Sequence, residues 1–136
     1  MNNCIFCKIA KGEIPSQKVF ENDDFLAFLD IKPINLGHTL LIPKAHYENI
    51  FDLPCEITSN MADLFQKIAK AIKAATGAGG VNISMNNGEV AGQIVPHAHI
   101  HIIPRFKEDG FKHWRSKVTT TENELAETAE KIKALL

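Results

Sequence analysis

Three of the six histidines in this 136-residue chain fall within five residues, at positions 97, 99 and 101. They lie in the run Gln93–Ile94–Val95–Pro96–His97–Ala98–His99–Ile100–His101–Ile102–Ile103–Pro104–Arg105, where imidazoles alternate with small or apolar side chains. Residues two apart on a β-strand share a face. The spacing predicts a strand bracketed by Pro96 and Pro104, with His97, His99 and His101 on one side and Ala98, Ile100 and Ile102 turned to a core. Histidine has no special strand propensity, so three on one face point to a site.

Three kinds of chemistry compete for such a strand. Three imidazoles can hold a catalytic zinc, but the first and third would lie ~13 Å apart on an extended strand. That is too far for one ion with bonds of ~2.0–2.1 Å. One imidazole can instead act as a nucleophile, with its neighbours as proton donor and orienter; its ordinary pKa near 6.5 suits attack and departure. The third option is a passive anion-binding surface. The flanks favour the nucleophile. Gly92 and Gln93 bring a backbone N–H and a side-chain amide close, and Asn86 stands at the preceding turn; neutral donors of this kind stabilise phosphoryl charge. Gly77-Ala78-Gly79-Gly80 matches no phosphate-binding glycine loop and reads as a helix stop and turn.

Cys4 and Cys7 form the second constellation. A redox pair of this spacing needs a strand before it, and only three residues precede Cys4. An odd total of three cysteines argues against a disulfide framework. A zinc site needs two further ligands; His46 and His97 are candidates that spacing alone does not select. Cys55 reads as a small apolar filler or a partly exposed thiol.

The elements that must position these groups follow from periodicity. Ile5, Phe6 and Ile9 suggest a short helix ending near Gly12. Residues 19–21, 25–30, 38–43 and 81–85 read as strands, the third placing His38, Leu40 and Ile42 on one face. Asp30 closes the second. From Pro54 or Thr58 to Thr76, Ile57, Met61, Leu64, Phe65, Ile68, Ile72 and Ala75 recur at three and four, predicting a long scaffold helix stopped by Gly77. Asn86-Asn87-Gly88 is a strong turn signal. Thr121-x-x-Glu124 reads as a capping box opening a last helix with Leu125, Ala129, Ile132 and Leu136 inward. His113 reads as an exposed loop histidine, and Trp114 as packing near a site or capping the surface. The pattern is α+β with an antiparallel sheet, in one domain spanning 1–136.

The net charge of −1 gives no long-range attraction to nucleic acid or anionic membrane. No apolar run approaches the ~20 residues of a membrane span. Residues 1–4 lack the basic and apolar regions of a secretory leader, so the expected compartment is the cytoplasm.

The stretch His97-Ala98-His99-Ile100-His101-Ile102-Ile103 fits His-φ-His-φ-His-φ-φ, with φ hydrophobic, and so resembles the signature of the histidine triad (HIT) nucleotide hydrolases and transferases. Cys4-Ile5-Phe6-Cys7-Lys8-Ile9, Glu13-Ile14-Pro15, Phe28-Leu29-Asp30-Ile31, the run from Gly37 to His46, and Asn86-Asn87-Gly88 resemble the same family in its order. The likeness covers residues 4 to about 106, leaving 107–136 as a C-terminal segment, and is greatest to a bacterial, Hint-like branch with an N-terminal Cys-x-x-Cys. It implies a HIT-like fold: an antiparallel sheet of about five strands, one long helix and a C-terminal helix. It implies cleavage at the α-phosphorus of a purine nucleotide, with His99 as nucleophile, His101 on the phosphate and leaving group, and His38 in support. Gln93, Asn86 and Gly92 would contact the phosphate and Asp30 the ribose, while Ile5, Phe6, Ile9, Ile14, Phe28 and Ile31 would form the base slot. It implies a structural zinc on Cys4, Cys7, His46 and His97, and a homodimer. Ile94 departs from the family, where many members carry a hydroxyl or other polar residue.

Overall fold

The computed structural model describes residues 3–110, 112 and 118–136; Phe111, His113 and Trp114 lie outside them. In chain order the elements are α1 (Ile5–Ala10), β1 (Lys18–Glu21), β2 (Phe25–Leu29), β3 (Thr39–Pro43), α2 (Cys55–Thr76), β4 (Gly80–Ser84), a 3-10 turn at Glu89–Ala91, β5 (Ile100–Arg105) and α3 (Glu122–Lys133). The strands form one antiparallel sheet in the order β1-β2-β3-β5-β4. This is the α+β architecture expected from the sequence.

The sheet separates two apolar layers. Phe25, Ala27, Leu41, Ile100 and Ile102 pack with Met61, Ile68 and Ile72 of α2. Leu26, Phe28, Leu40 and Ile42 face the other way, onto Phe6 and Ile9 of α1. Both faces of β2 and β3 are covered, which explains why these strands read as nearly continuous apolar runs rather than polar–apolar alternations. α2 ends where Gly77 takes a left-handed conformation (φ 70°) and its N–H reaches the Lys73 carbonyl oxygen at 3.1 Å. Gly37 is fixed for a second reason. At φ +103°, a Cβ there would lie 2.8 Å from Thr76 Cγ2, so the approach to His38 beneath the end of α2 admits no side chain.

Four local expectations need correction. The strand carrying the histidines begins only at Ile100, so His97 and His99 precede it. The Ala98 N–H donates to the Tyr47 carbonyl oxygen (2.7 Å) rather than to β3; the extended chain leaves the ladder to pair with the loop after β3. Asn86-Asn87-Gly88 does not close a tight hairpin, because residues 85–99 separate the two strands. On α2, Ala75 is exposed. On α3 the capping box forms as expected, with Thr121 Oγ1 accepting the Glu124 N–H at 3.2 Å. Its apolar positions, however, are not inward: Leu125, Ala129, Ile132 and Leu136 are all exposed. Capping is a local hydrogen-bond requirement and is met without a tertiary partner; burial is not. Cys55 is exposed, as the first residue of α2.

Candidate active site and metal centre

The face of the sheet opposite α2 holds the chemistry. Leu40 pairs with His101 across β3 and β5, so His101 shares the α1 side with Leu40, and His38 stands one residue before β3 on the same side. A cavity of about 490 Å³ opens here. Its lining includes His99, His101, Asp30, Asn86 and Gly92, together with Ile5, Phe6, Ile9, Ile14, Phe28 and Ile31. Residues scattered from position 5 to 101 are thus brought to one opening. Ile31 and Ile94 are 91% and 92% exposed at its mouth.

His38 and Gln93 stand behind the cavity. The Gln93 side chain is engaged away from the cavity: its Oε1 accepts the Gly88 N–H (2.8 Å), and its Nε2 donates to the carbonyl oxygens of Glu48 (2.6 Å) and Val95 (3.0 Å). Its amide holds together the loop that carries Gly88 and Gly92. Leu40, Val95, Pro15, Ser16 and Lys32 also line the cavity and were not singled out from the sequence; of these, only Leu40 carried a signal, through its alternation with His38.

Hydrogen-bond partners fix the ring protons. His99 Nδ1 lies 2.6 Å from the His97 carbonyl oxygen. A carbonyl only accepts, so Nδ1 carries the proton and Nε2 keeps its lone pair. His38 Nδ1 accepts the Ile34 N–H at 3.1 Å, which puts the neutral ring's proton on Nε2. That proton is donated to His101 Nδ1, 2.9 Å away, leaving His101 with Nε2–H. Adjacent rings, with centroids 5.0 Å apart, therefore present opposite faces: a free nitrogen lone pair on His99 Nε2 and a hydrogen-bond donor on His101 Nε2. Asp30 Oδ2 stands 3.6 Å from His38 Nε2, while Asp30 Oδ1 accepts the Lys32 N–H at 2.9 Å. Asp30, His38 and His101 offer ligand atoms within 4.8 Å of one another. The His38 Nε2 proton occupies the lone pair a metal would need, so His38 and His101 form a hydrogen-bonded pair with the Asp30 carboxylate 3.6 Å away.

Burial keeps these rings neutral. It lowers the pKa of His38 against a smaller opposing pull from the Asp30 carboxylate, and that of His99 against the hydrogen bond to the His97 carbonyl and then Asp30. His101 falls to about 4, first through burial and then through its neighbours His99 and His38. The sign for stability follows by linkage. Between its ordinary value near 6.5 and about 4, His101 binds more proton in the unfolded chain than in the folded one. Its contribution is complete above pH ~6.5 and is lost as the pH falls toward 4. Thermal unfolding should therefore show a midpoint that drops across this window, and a shallower drop in His101→Asn. An identical slope in the variant would refute the assignment.

The second cluster lies at the start of α1. Cys4 is the N-cap, its Sγ accepting the Cys7 N–H at 3.5 Å. His97 Nδ1 is 3.4 Å from Cys4 Sγ and 3.5 Å from Cys7 Sγ, and His46 Nδ1 is 3.3 Å from Cys7 Sγ. All four ligand atoms lie within 4.8 Å of one another. Bonds of ~2.3 Å to sulfur and ~2.1 Å to nitrogen imply S···N edges of about 3.6 Å in a tetrahedral zinc site, so the group fits four-coordinate zinc. His97 Nε2 donates to the Pro43 carbonyl oxygen at 2.8 Å, which fixes the tautomer that presents Nδ1 to a metal. Burial, followed by Cys4, raises the Cys7 thiol pKa; a bound cation would reverse that direction.

A protein-family model described as the HIT domain matches residues 11–108. Among curated relatives, the protein Hit of Bacillus subtilis is 52% identical over 110 residues, 80% of this chain and 76% of that protein. Adenosine 5′-monophosphoramidase HNT1 of Saccharomyces cerevisiae is 45% identical, over 77% of this chain and 64% of its own length. Adenylylsulfatase HINT3 of Arabidopsis thaliana is 44% identical, over 79% and 55%. Among solved structures, a protein of Streptococcus mutans UA159 superposes with a TM-score of 0.93 at 46% identity, covering 98% of this chain and 85% of that one. A zinc-bound histidine triad family protein of Mycobacterium smegmatis gives 0.78 at 39%, covering 86% and 85%.

Proposed function

Because the chain belongs to the HIT family, we propose that it is a nucleotide hydrolase that cleaves purine nucleoside 5′-phosphoramidates or related nucleotidyl adducts at the α-phosphorus. The observation that carries this reading is the pair of complementary tautomers on His99 and His101 at the mouth of an apolar cavity. His99 Nε2 attacks phosphorus, the bond to the leaving group breaks, and a nucleotidyl-histidine forms. Its Nδ1–H stays on the His97 carbonyl, which stabilises the positive charge the ring acquires. His101, neutral at pH 7, acts as a hydrogen-bond donor to a phosphoryl oxygen rather than as a strong acid. The departing amine takes up a proton from water at the open mouth. Water then displaces His99 and releases the nucleoside monophosphate.

In this reading Phe28 and the apolar residues of α1 grip the base, Asp30 accepts from the ribose hydroxyls, and Asn86 and Gly92 flank the phosphate. A relative named as a phosphoramidase and another named as an adenylylsulfatase support this leaving-group class. Kinetics on adenosine 5′-phosphoramidate, adenosine 5′-phosphosulfate and a diadenosine polyphosphate test it. The first two should be cleaved with solvent oxygen entering AMP. Preference for the third would make the protein a dinucleoside polyphosphate hydrolase, and specificity constants far below the usual ~10⁴ M⁻¹s⁻¹ for all three would make it a nucleotide-binding module.

The same reading assigns Cys4, Cys7, His46 and His97 to a structural zinc, as in the bacterial Hint-like branch. With two thiolates and two imidazoles the shell is closed, so a bound ion supplies rigidity rather than Lewis-acid chemistry. Three free thiols suit a reducing, cytoplasmic setting; among the described residues no helix is long and apolar enough to cross a membrane. We extend the reading to a homodimer. β4 is a sheet edge, and α3 exposes Leu125 and Ile132; both are surfaces a second copy can cover. Sedimentation should give the mass of two 15.1 kDa chains; the mass of one would refute this.

A further inference from the structure

The Ser16 hydroxyl oxygen is buried without a hydrogen-bond partner, and among the described residues no other buried side-chain oxygen or nitrogen is left so. An unsatisfied buried hydroxyl is destabilising, and proteins keep few of them. Its position suggests why this one is kept. Lys18 pairs with Phe28 across β1 and β2, and the Leu29 N–H donates to the Gln17 carbonyl oxygen at 2.9 Å. Continuing this antiparallel register sets Ser16 opposite Asp30. Paired residues share a face, as do residues two apart, so Ser16, Asp30 and Phe28 belong to the cavity side. Ser16 and Asp30 both line the cavity.

The two groups are chemically complementary. A carboxylate only accepts, and each Asp30 oxygen already has a neighbour, the Lys32 N–H or His38 Nε2. A hydroxyl both donates and accepts and reorients about one torsion. A vicinal diol presents two donors and their acceptor lone pairs, more than the carboxylate alone can satisfy. We propose that Ser16 is a specificity-determining residue that binds a ribose hydroxyl beside Asp30 and so selects ribonucleotides over deoxyribonucleotides. The proposal rests on the nucleotide reading of the cavity, and rotation of the Ser16 hydroxyl about its one side-chain torsion is what turns it toward the substrate.

Calorimetric titration of wild type and Ser16→Ala with AMP, 2′-deoxyAMP and 3′-deoxyAMP, alongside unfolding of the ligand-free proteins, tests it. Wild type should bind AMP more tightly than one of the deoxy analogues. Ser16→Ala should weaken AMP by roughly 3- to 10-fold, leave the analogue lacking the partner hydroxyl unchanged, and leave ligand-free stability equal or higher. The deoxy analogues on wild type make the same test from the ligand side without a variant. Equal AMP affinity in the two proteins overturns the proposal. So does weakening of all three ligands by one factor, which is what a base contact or a purely structural role would produce. Wild type that binds none of the three overturns the nucleotide reading itself, and the proposal with it.

Discussion

Replacing His99 with asparagine should abolish turnover while leaving the protein folded and able to bind AMP. The ring is 5% exposed and packs edge-on against Phe6 at 5.1 Å and His101 at 5.0 Å. Asparagine is smaller but keeps an N–H for the His97 carbonyl, so the loop between His97 and Ile100 retains its one polar tie to this side chain. What it lacks is a nitrogen lone pair directed into the cavity. No other described group there can replace it: His101 Nε2 carries a proton, and His38 is engaged at both nitrogens. Loss of a covalent nucleophile removes the whole two-step path rather than one contribution to it, so kcat should fall by on the order of 10⁴-fold or more. His101→Asn, which loses one hydrogen bond to the transition state, should fall by roughly 10²- to 10³-fold. The AMP dissociation constant should change little in either case. Rapid acid quench of wild type should trap a nucleotidyl-enzyme that His99→Asn does not form. Retention of more than a few per cent of wild-type kcat in His99→Asn would remove His99 from the role.

How much of this was legible beforehand differs by residue. Alternation at His97, Ala98, His99 and Ile100 correctly told which side chains share a face, because that depends only on an extended backbone. It could not tell where the ladder stops, because that depends on whether the Ala98 N–H finds β3 or Tyr47, residues far away in sequence. The long helix was plain from Ile57, Met61, Leu64, Phe65, Ile68 and Ile72. The exposed apolar side of α3 shows that such spacing forecasts a helix more reliably than a neighbour for it. The opposite tautomers of His99 and His101 had no signature in side-chain types, since two backbone groups set them: the carbonyl of His97 for His99 and, through His38, the N–H of Ile34 for His101. Gln93 and Ser16 make the same point in opposite senses. A polar residue beside a motif turned out to brace a loop, and an unremarked serine turned out to sit unpartnered at the cavity wall.

The double substitution Cys4→Ser, Cys7→Ser should have the opposite profile to His99→Asn: a primary loss of metal and stability, with catalysis failing as a consequence. Wild type prepared without chelators should carry close to one zinc per chain by elemental analysis, and the double variant almost none. Serine cannot supply thiolate charge, and two imidazoles alone are a weak site for the ion. The structural consequence falls on α1. At six residues it is far below the ~12–15 at which an isolated helix becomes marginally stable in water, so its position depends on Phe6 and Ile9 in the core and on Cys4 and Cys7 at the centre. Structural zinc contributes about 10–16 kcal/mol of apparent binding energy in small zinc domains at neutral pH. A loss of even ~3 kcal/mol here would lower the unfolding midpoint by roughly 10 °C for a domain of this size. Freed from His46 and His97, α1 would no longer hold Phe6 and Ile9 against Phe28, and AMP affinity should weaken along with stability. Cys55→Ser, at an exposed position in the first turn of α2, is the matched control and should change none of these readings. Zinc-free wild type, or a double variant with an unchanged unfolding midpoint, would exclude a structural metal at this centre. Because the His97 side chain belongs to the proposed metal group and its carbonyl accepts the His99 Nδ1–H, loss of the ion should also slow the nucleotide chemistry beyond what weaker AMP binding accounts for. That residual would appear as a fall in kcat at saturating substrate.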